Sequence, residues 1–169
     1  DYTMRYIFQV YYRAEDNTVT KSTERQVKYT DGTSVTFPVR LIPGRDYQFV
    51  VWADVVTSED DTDNHYNTTN LEAVSVIESS WKAMDETRDA FTASYAANDY
   101  NGSQSINIDL YRPFAKLRVI ATDYDELAKI GIEVKKAAVN YTTVHRSKFN
   151  AYDSKAFETD VASIEKDHS

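Results

Sequence analysis

The stretch YTMRYIFQVYY, residues 2–12, decides the fold class of this chain. Every even position in it is apolar or aromatic, from Tyr2 to Tyr12, whereas most odd positions are polar. Successive side chains of a β-strand lie on opposite faces of the sheet, so this period of two predicts a strand. Ile7 and Tyr11 interrupt the polar face. We therefore expect a long, half-buried β-strand at the start of the chain.

Shorter runs with the same period recur along the sequence. Residues 35–41 alternate, and residues 47–53 alternate again after Pro43-Gly44, a turn dipeptide, which predicts a β-hairpin around that turn. Pro38 cannot donate a ladder hydrogen bond and predicts an edge or a bulge. Further runs lie at 24–29, 106–110, 115–121 and 132–141, the last with a phase change that suggests a bulge near Lys135-Lys136. The total of about seven strands is typical of an all-β sandwich of two packed sheets.

Helical signals are confined to short segments. Residues 123–131 begin with an aspartate, carry acidic residues in the first turn and end at a glycine, which predicts one or two turns of helix. Residues 84–91 are compatible with another turn, and residues 71–82 fit either a strand or a helix. The regular pattern ends near Lys148. We expect one domain over residues 1–148, followed over residues 149–169 by a tail or by the start of a second β-sandwich domain.

Composition excludes several classes of protein. The 169 residues include no cysteine, so disulfides, thiolate metal sites and a cysteine nucleophile are excluded. A net charge of -8 argues against a surface that binds nucleic acid or anionic lipid. No apolar run is long enough to span a bilayer, so any contact with a membrane would depend on a lipid anchor outside this chain.

Catalytic and metal-binding motifs are missing from the sequence. The three histidines, His65, His145 and His168, form no HExxH pair, and two of them fall in segments that look mobile. The acidic stretch 57–70 contains oxygen ligands suited to Ca²⁺ but lacks the spacing of a calcium loop. The simpler interpretation is a solvated surface loop. We therefore expect a protein that is not an enzyme and that has no cofactor or metal site.

The aromatic residues allow a binding function. Trp52 falls on the strand face opposite Tyr47 and would offer a platform for a sugar or a protein if it were exposed beside Tyr11 or Tyr111. The alternative is that Trp52 packs beneath a loop or a neighbouring domain. The candidate contacts for a ligand or partner are Trp52, Trp81 and Tyr111.

Three strings resemble one protein family. Residues 43–54, PGRDYQFVVWAD, are similar to a strand ending in PGRDY and returning as FxxWAD. Residues 85–93, DETRDAFTA, and 110–119, LYRPFAKLRV, resemble the DExRDAFxA and LxRPFAKLRV signatures of the same family, in the same order. This family is the fimbrillin-like surface proteins of Bacteroidota, related to subunits of type V pili. The signature residues are best interpreted as determinants of the fold, and they are Pro43, Gly44, Arg45, Asp46, Asp85, Glu86, Arg88, Asp89, Arg112 and Pro113.

The resemblance implies a fold, a location and a mode of assembly. It implies a transthyretin-like Greek-key sandwich with a second sandwich domain, exported as a lipoprotein to the outer membrane, cell surface or fimbria. It also implies assembly with sibling pilus subunits by β-strand addition, in which a strand of one subunit fills a groove of the next. The first strand, Thr3 to Tyr12, is a candidate for covering or framing that groove.

Two functions follow from the sequence as expectations. The first is a structural or adhesive subunit of the cell surface, whose partners are sibling subunits, its own second domain, or a host protein or glycan. The alternative is a glycan-binding surface module without catalytic activity, based on the tryptophans and the many tyrosines.

Overall fold

A computed structural model describes residues 2–21, 25–77, 79, 85–115, 120, 122–133, 137–140, 145–160 and 165–168. The described part is almost entirely β-structure, so the predicted all-β sandwich is confirmed, although it has more than the seven strands expected. The strands are β1 (Thr3–Arg13), β2 (Val19–Lys21), β3 (Gln26–Thr30), β4 (Asp46–Val56), β5 (Tyr66–Asn67), β6 (Val74–Val76), β7 (Ala90–Ala97), β8 (Ala137–Asn140), β9 (His145–Asn150), β10 (Lys155–Asp160) and β11 (Glu165–His168). One helix, α1 (Tyr124–Lys129), and two 3-10 turns, Leu71–Ala73 and Glu86–Arg88, complete the described elements.

The main sheet has the order β2-β1-β4-β7, with β3 beside β1 on the same edge as β2. β1 and β4 pair antiparallel along their whole length, from Thr3 opposite Val56 to Arg13 opposite Asp46. The alternation of apolar residues in both strands holds this register, because a slip of one position would move every side chain to the wrong face.

A second sheet, of order β10-β9-β6-β5, packs on one face of the main sheet, and β8 and β11 form a separate antiparallel pair. Tyr66, Leu71, Val74 and Phe149 from this side meet Ile7, Tyr11, Val50 and Trp52 of the main sheet in one buried core. We call the face of the main sheet that carries Ile7, Val50 and Trp52 the sealed face. The opposite face, which carries Phe8, Phe49 and Val51, is the groove face.

The prediction that the first strand is half-buried was wrong. Residues 5–11 of β1 are all buried, and these include Arg5 and Gln9, which occupy positions expected to face water. The cause is that β1 lies inside the sheet and that the sealed face is covered by the second sheet. An odd-numbered polar residue on β1 is therefore enclosed and must find a partner in the protein.

The predicted hairpin around Pro43-Gly44 was also wrong. β4 already pairs with β1 on one side and with β7 on the other, so residues 35–41 find no free edge on it. The turn itself is present, with Gly44 at φ 74°, a backbone conformation that suits glycine. The Gly44 N–H donates to the Tyr100 carbonyl over 2.7 Å, and this bond attaches the turn to the loop after β7.

Other predicted elements have mixed outcomes. The strand near 24–29 is present as β3, and the helix predicted near 123–131 is present as α1, although the Asp123 side chain does not cap it. Residues 106–110 are extended, with alternating burial, but they pair with no described strand. Most of the run at 115–121 and the predicted bulge at 135–136 lie outside the described residues.

The chain beyond Lys148 is ordered into the hairpin of β9 and β10, in which Lys155 lies opposite Asn150. β9 spans the position at which we placed a domain boundary, and Phe149 and Ala151 belong to the core beneath the sealed face. The division of the chain at residue 148 and the existence of a second domain stay predictions.

Candidate functional site

An open groove runs across the groove face of the main sheet. It encloses about 1140 Å³, and its floor consists of β1 and β4 side chains that include Phe8, Phe49 and Val51. Its walls come from residues 31–41 and 104–110. We call this feature the strand groove. Pockets for small molecules usually enclose roughly 300–1,000 Å³, so the strand groove is large for that purpose.

The first wall, residues 34–41, is an extended segment without a strand partner. Its burial alternates, with Val35, Phe37, Val39 and Leu41 turned inward and the residues between them exposed. Phe37 stacks on Phe8 with ring centroids 5.1 Å apart. Two side chains of β3 reach its outer side, because Lys28 donates to the Thr36 carbonyl over 2.6 Å and Gln26 to the Pro38 carbonyl over 3.3 Å.

The second wall, residues 104–110, has the same character. Ile106, Ile108 and Leu110 are half-buried against the apolar side chains of the groove face, and the intervening residues are exposed. Just after the segment, Tyr111 and Thr92 of β7 exchange two backbone hydrogen bonds of 2.8 and 3.0 Å. Within the described part of the chain, residues 104–110 form no hydrogen bond at all.

These two walls make the strand groove suited to accept an added β-strand. The Thr36 and Pro38 carbonyls of the first wall already accept from β3 side chains, but Phe37 and Val39, whose backbone groups point to the other side of the segment, form no backbone hydrogen bond within the described residues. In the second wall, the backbone of residues 104–110 is likewise unpaired within the described part of the chain, as at a sheet edge. The floor between them is apolar. An added β-strand would pair its backbone with a wall and place every second side chain on the floor.

A cluster of charges lies on the sealed face of the same strands, which the sequence did not reveal. Arg5, fully buried, holds Asp54 through two bonds, from Nε over 2.9 Å and from Nη2 over 2.8 Å. Its remaining donors reach Asp61 at 3.0 Å and Asp63 at 2.9 Å. Arg25 also clamps Asp61, through two bonds of 2.8 Å. We call these five residues the Arg5 cluster.

The Arg5 cluster shifts the pKa of three of its members, Arg5, Asp54 and Asp61. Burial alone would lower the pKa of Arg5, but the hydrogen bonds and charges of Asp54 and then Asp63 outweigh burial and raise it. Burial raises the pKa of Asp54, and Arg5 opposes that rise. The pKa of Asp61 is lowered, because Arg25 and Arg5 together outweigh its partial burial. The cluster is therefore a closed set of ion pairs that attaches the acidic loop to β1.

The acidic loop was predicted to be a solvated surface loop, and residues 59–62 are exposed as expected, but the sequence did not show that its carboxylates are hydrogen-bonded. Asp61 and Asp63 serve the two arginines, and Asp60 accepts hydrogen bonds from Ser58 over 2.6 Å and from the Thr62 N–H over 3.1 Å. These carboxylates are occupied as hydrogen-bond acceptors. Among the described residues, no group of three or more carboxylates and histidines is arranged to hold a metal ion.

His65 is not in a mobile segment, contrary to expectation. It is buried, and its Nε2 lies 2.8 Å from the Thr87 hydroxyl and 3.9 Å from a carboxylate oxygen of Asp85. Burial, and then the positive charge of Arg88, lower its pKa. The side chains of the other two histidines lie outside the described residues.

The tryptophans and Tyr111 have different positions. Trp52 has no exposed surface, and its ring meets Tyr66 edge-on with centroids 5.5 Å apart, so it offers no platform to a ligand. Its indole N–H forms no hydrogen bond within the described residues. It lies near Asp54, however, and favours the ionised form of that carboxyl, which offsets part of the rise that burial causes in the pKa of Asp54. Trp81 lies outside the described residues. Tyr111 is 70 % exposed.

Several signature residues connect segments of the fold. Asp89 and Arg112 join two of the signatures through a bond of 2.8 Å. Asp85 caps the 3-10 turn Glu86–Arg88 by accepting the Thr87 N–H, and the Arg88 carbonyl accepts from Tyr66. In the first signature, Arg45 lies over the ring of Tyr12, Asp46 accepts the Asp99 N–H, and Pro43 and Gly44 form the turn. Pro113 follows Arg112 in the described bend before Phe114.

Phe114 of the third signature completes an aromatic cluster. Its ring stacks on Tyr66 with centroids 5.7 Å apart and meets Phe149 edge-on at 6.0 Å. Trp52 lies beneath both. Phe114 therefore flanks the sealed core, with 40 % of its own surface exposed.

The chain matches one known protein family over nearly its whole length. It belongs to the family of unknown function DUF6562, which it matches over residues 1–167. No curated protein and no solved structure matches the chain. No described helix is long and apolar enough to cross a membrane.

Proposed function

We propose that this chain is a structural or adhesive subunit of the cell surface, a fimbrillin-like pilus component or surface lipoprotein, that assembles by accepting a β-strand in the strand groove. The observation that carries the proposal is the pair of extended walls, 34–41 and 104–110, which lack strand partners on either side of an apolar floor. Natural sheets usually cover or block such free edges, because they attract other chains.

The chemistry of the groove defines the strand that it accepts. The floor is built from Phe8, Phe49 and Val51, with Met4 and Phe91 beside them. The incoming strand would therefore carry apolar side chains at every second position and polar ones between them. Backbone hydrogen bonds to the walls would supply affinity, and the floor would select the side chains.

β1 frames the groove and does not cover it. Its even residues form part of the floor, whereas its odd residues, including Arg5 and Ile7, belong to the sealed face. Removing β1 would open both cores at once. The proposal therefore assigns the exchangeable strand to another segment or subunit and keeps β1 as a permanent floor.

The first test measures hydrogen exchange. In the free chain, amides of 34–41 and 104–110 should exchange rapidly, whereas those of β4 should be protected. In an assembly, both walls should become protected. Exchange in the walls that is unchanged in an assembled sample would contradict the proposal.

The second test measures assembly itself. The chain, expressed with any flanking sequence that its gene encodes, should form larger species after limited proteolysis, as detected by size-exclusion chromatography with light scattering. Val39→Arg, on the inward side of the first wall, should prevent this growth. Thr36→Arg, on the exposed side of the same wall, is the matched control and should assemble normally. A chain that stays monomeric under all conditions, or two variants that behave alike, would refute the proposal.

A further inference from the structure

A second cavity lies on the other side of wall 104–110, between that wall and the outer edge of β7. It encloses about 470 Å³, within the usual range for small ligands. Tyr95, Asn107, Asp109, Tyr111 and Arg112 are among the residues that line it. It shares Asn107, Ile108 and Asp109 with the strand groove, so the two spaces adjoin along one wall.

A row of three side chains faces this cavity. Asn107, Asp109 and Tyr111 alternate with the half-buried Ile106, Ile108 and Leu110, and all three line this cavity. Asn107 and Asp109 border the strand groove as well. Asn107 and Asp109 are exposed and form no hydrogen bond within the described residues. An amide, a carboxylate and an exposed tyrosine ring are therefore presented side by side.

Two further side chains are held in place at the cavity. Arg112 donates to Asp89 over 2.8 Å and lies over the ring of Phe91, 5.2 Å from its centroid. A guanidinium has five N–H donors, so it retains others for a ligand. Tyr95 lies opposite Phe49 and stacks on it with centroids 6.3 Å apart, so its ring is on the groove face at the margin of this cavity, and 40 % of its surface stays exposed.

The edge of β7 adds backbone groups. Thr92 exchanges hydrogen bonds with Tyr111 on the side away from β4, so the N–H and C=O of Ser94, two residues later, are directed to the same side. No described strand pairs with them. The Ser94 hydroxyl accepts from Gln48 over 2.8 Å and donates to the Tyr152 carbonyl over 2.6 Å, which holds this edge in position.

This combination defines the chemistry of the ligand. Tyrosine rings pack against a flat C–H surface, whereas the amide, carboxylate, guanidinium and backbone groups require a ligand with many hydroxyls that both donate and accept. The charge of Arg112 is offset by Asp89, and Asp109 is also acidic, so the cavity does not favour an anion. We propose that this cavity binds a neutral saccharide of one or two sugar units.

The test uses neutral sugars of known structure. The chain is screened by saturation-transfer NMR against the methyl glycosides of glucose, galactose, mannose, fucose and N-acetylglucosamine, and by an array of neutral oligosaccharides. At least one sugar should receive saturation from the protein. Tyr111→Ala and Asp109→Ala should each weaken its binding about tenfold or more, a loss of roughly 1.4 kcal/mol.

Matched variants control for nonspecific effects. Tyr124→Ala and Asp125→Ala remove an exposed tyrosine and an exposed aspartate from α1, outside the cavity, and should leave sugar binding unchanged. Thermal unfolding of all four variants should match that of the parent chain. The absence of binding to every sugar in both screens would overturn the proposal, as would binding that survives both cavity variants. Assembly by strand addition does not depend on this cavity, so the failure of one proposal is distinguishable from the failure of the other.

Discussion

The two faces of the main sheet are built from the same strands but are covered differently. On the sealed face, Trp52 and Val50 are fully buried beneath β-strands that pair with one another. On the groove face, Phe49 and Val51 are nearly as buried, yet the segments above them are extended chains without strand partners. The side chains of β4 alone do not distinguish the faces, because both are apolar. The difference lies in the backbone hydrogen bonds of the cover.

The two faces differ less in how much side-chain burial stabilises them than in how many backbone groups of their covering segments are free to bind another chain. Burial of side chains stabilises both faces through the hydrophobic effect. Among the described residues, the cover of the sealed face is paired strand to strand, whereas the walls of the groove face have few backbone hydrogen bonds, such as those of the Thr36 and Pro38 carbonyls. The groove face is therefore the place where the protein can gain hydrogen bonds from outside without breaking its own.

The largest expected effect comes from breaking the Arg5 cluster. Asp54→Ala leaves Arg5 buried beside fewer carboxylates and should reduce the free energy of unfolding by about 3–5 kcal/mol, because the guanidinium loses its bidentate partner. Urea denaturation followed by circular dichroism measures this loss.

The control for that prediction is an exposed ion pair. Lys148 and Glu158 lie 2.9 Å apart at the surface, and Lys148→Ala should cost about 1 kcal/mol or less. Equal losses in the two variants would show that the buried cluster contributes no more than a surface pair.

The second prediction compares neighbouring valines on the two faces. Val50→Ala should reduce the free energy of unfolding by about 2 kcal/mol, since a sealed core cannot close the cavity. Val51→Ala should cost about 1 kcal/mol, because water and mobile side chains can reach the groove. The same deletion on adjacent residues makes each variant the control of the other, and equal losses would mean that the groove face is as tightly packed as the sealed face.

A smaller effect is expected at the tether of the first wall. Lys28→Met removes the hydrogen bond to the Thr36 carbonyl and the contact with the Phe37 ring, and should cost about 1 kcal/mol or less. The clearer readout is hydrogen exchange, which should become faster in residues 34–41 and stay unchanged in β9. Uniform acceleration throughout the chain would contradict a local tether.

The smallest effect concerns pH and His65 on the sealed side. Its pKa is lower in the folded chain than the ordinary 6.5, because of burial and Arg88, while Asp85 and Asp54 act in the opposite direction. The unfolded chain therefore takes up the proton first. The stability contributed by neutral His65 is present above pH 6.5 and is lost as the pH falls toward the folded pKa.

This pH dependence has a direct measurement. The urea midpoint should decrease between pH 7 and pH 5.5 in the parent chain and should change less in His65→Gln, whose amide can still bond Thr87. Asp61 and Asp85, whose pKa values are lowered, contribute losses only below pH 3.8. Identical pH profiles for the two proteins would exclude a role for His65.

The sequence predicted the strands but not their partners. Period-two alternation located β1, β4 and the extended segments 35–41 and 106–110, since alternation follows from burial on one side of an extended chain. It could not show that β4 has both edges filled, which leaves the two segments unpaired. Pairing depends on residues distant in the chain, and a single sequence does not contain that information.

The candidate sites were predictable to different extents. Tyr111 was predicted as a possible contact for a ligand or partner, and it lines the cavity between residues 104–110 and the edge of β7. The Arg5 cluster was missed because an arginine on the polar side of a strand normally faces water. One signal in the sequence could have revealed the cluster. Arg5 stands among apolar neighbours on β1, and Asp54, of opposite charge, stands near the end of an equally apolar strand.

The long pairing of β1 with β4 also determines when the fold can form. Residues 14–45 lie between the paired ends, Arg13 and Asp46, so β1 leaves a ribosome or a pore well before its partner. At the usual rate of synthesis, this interval is roughly 2–6 s. During that time the apolar side chains of β1 have no cover, and non-local pairing of this kind is slow to form. The strand that later supports both faces is therefore the segment most exposed to misassociation while the chain is being made.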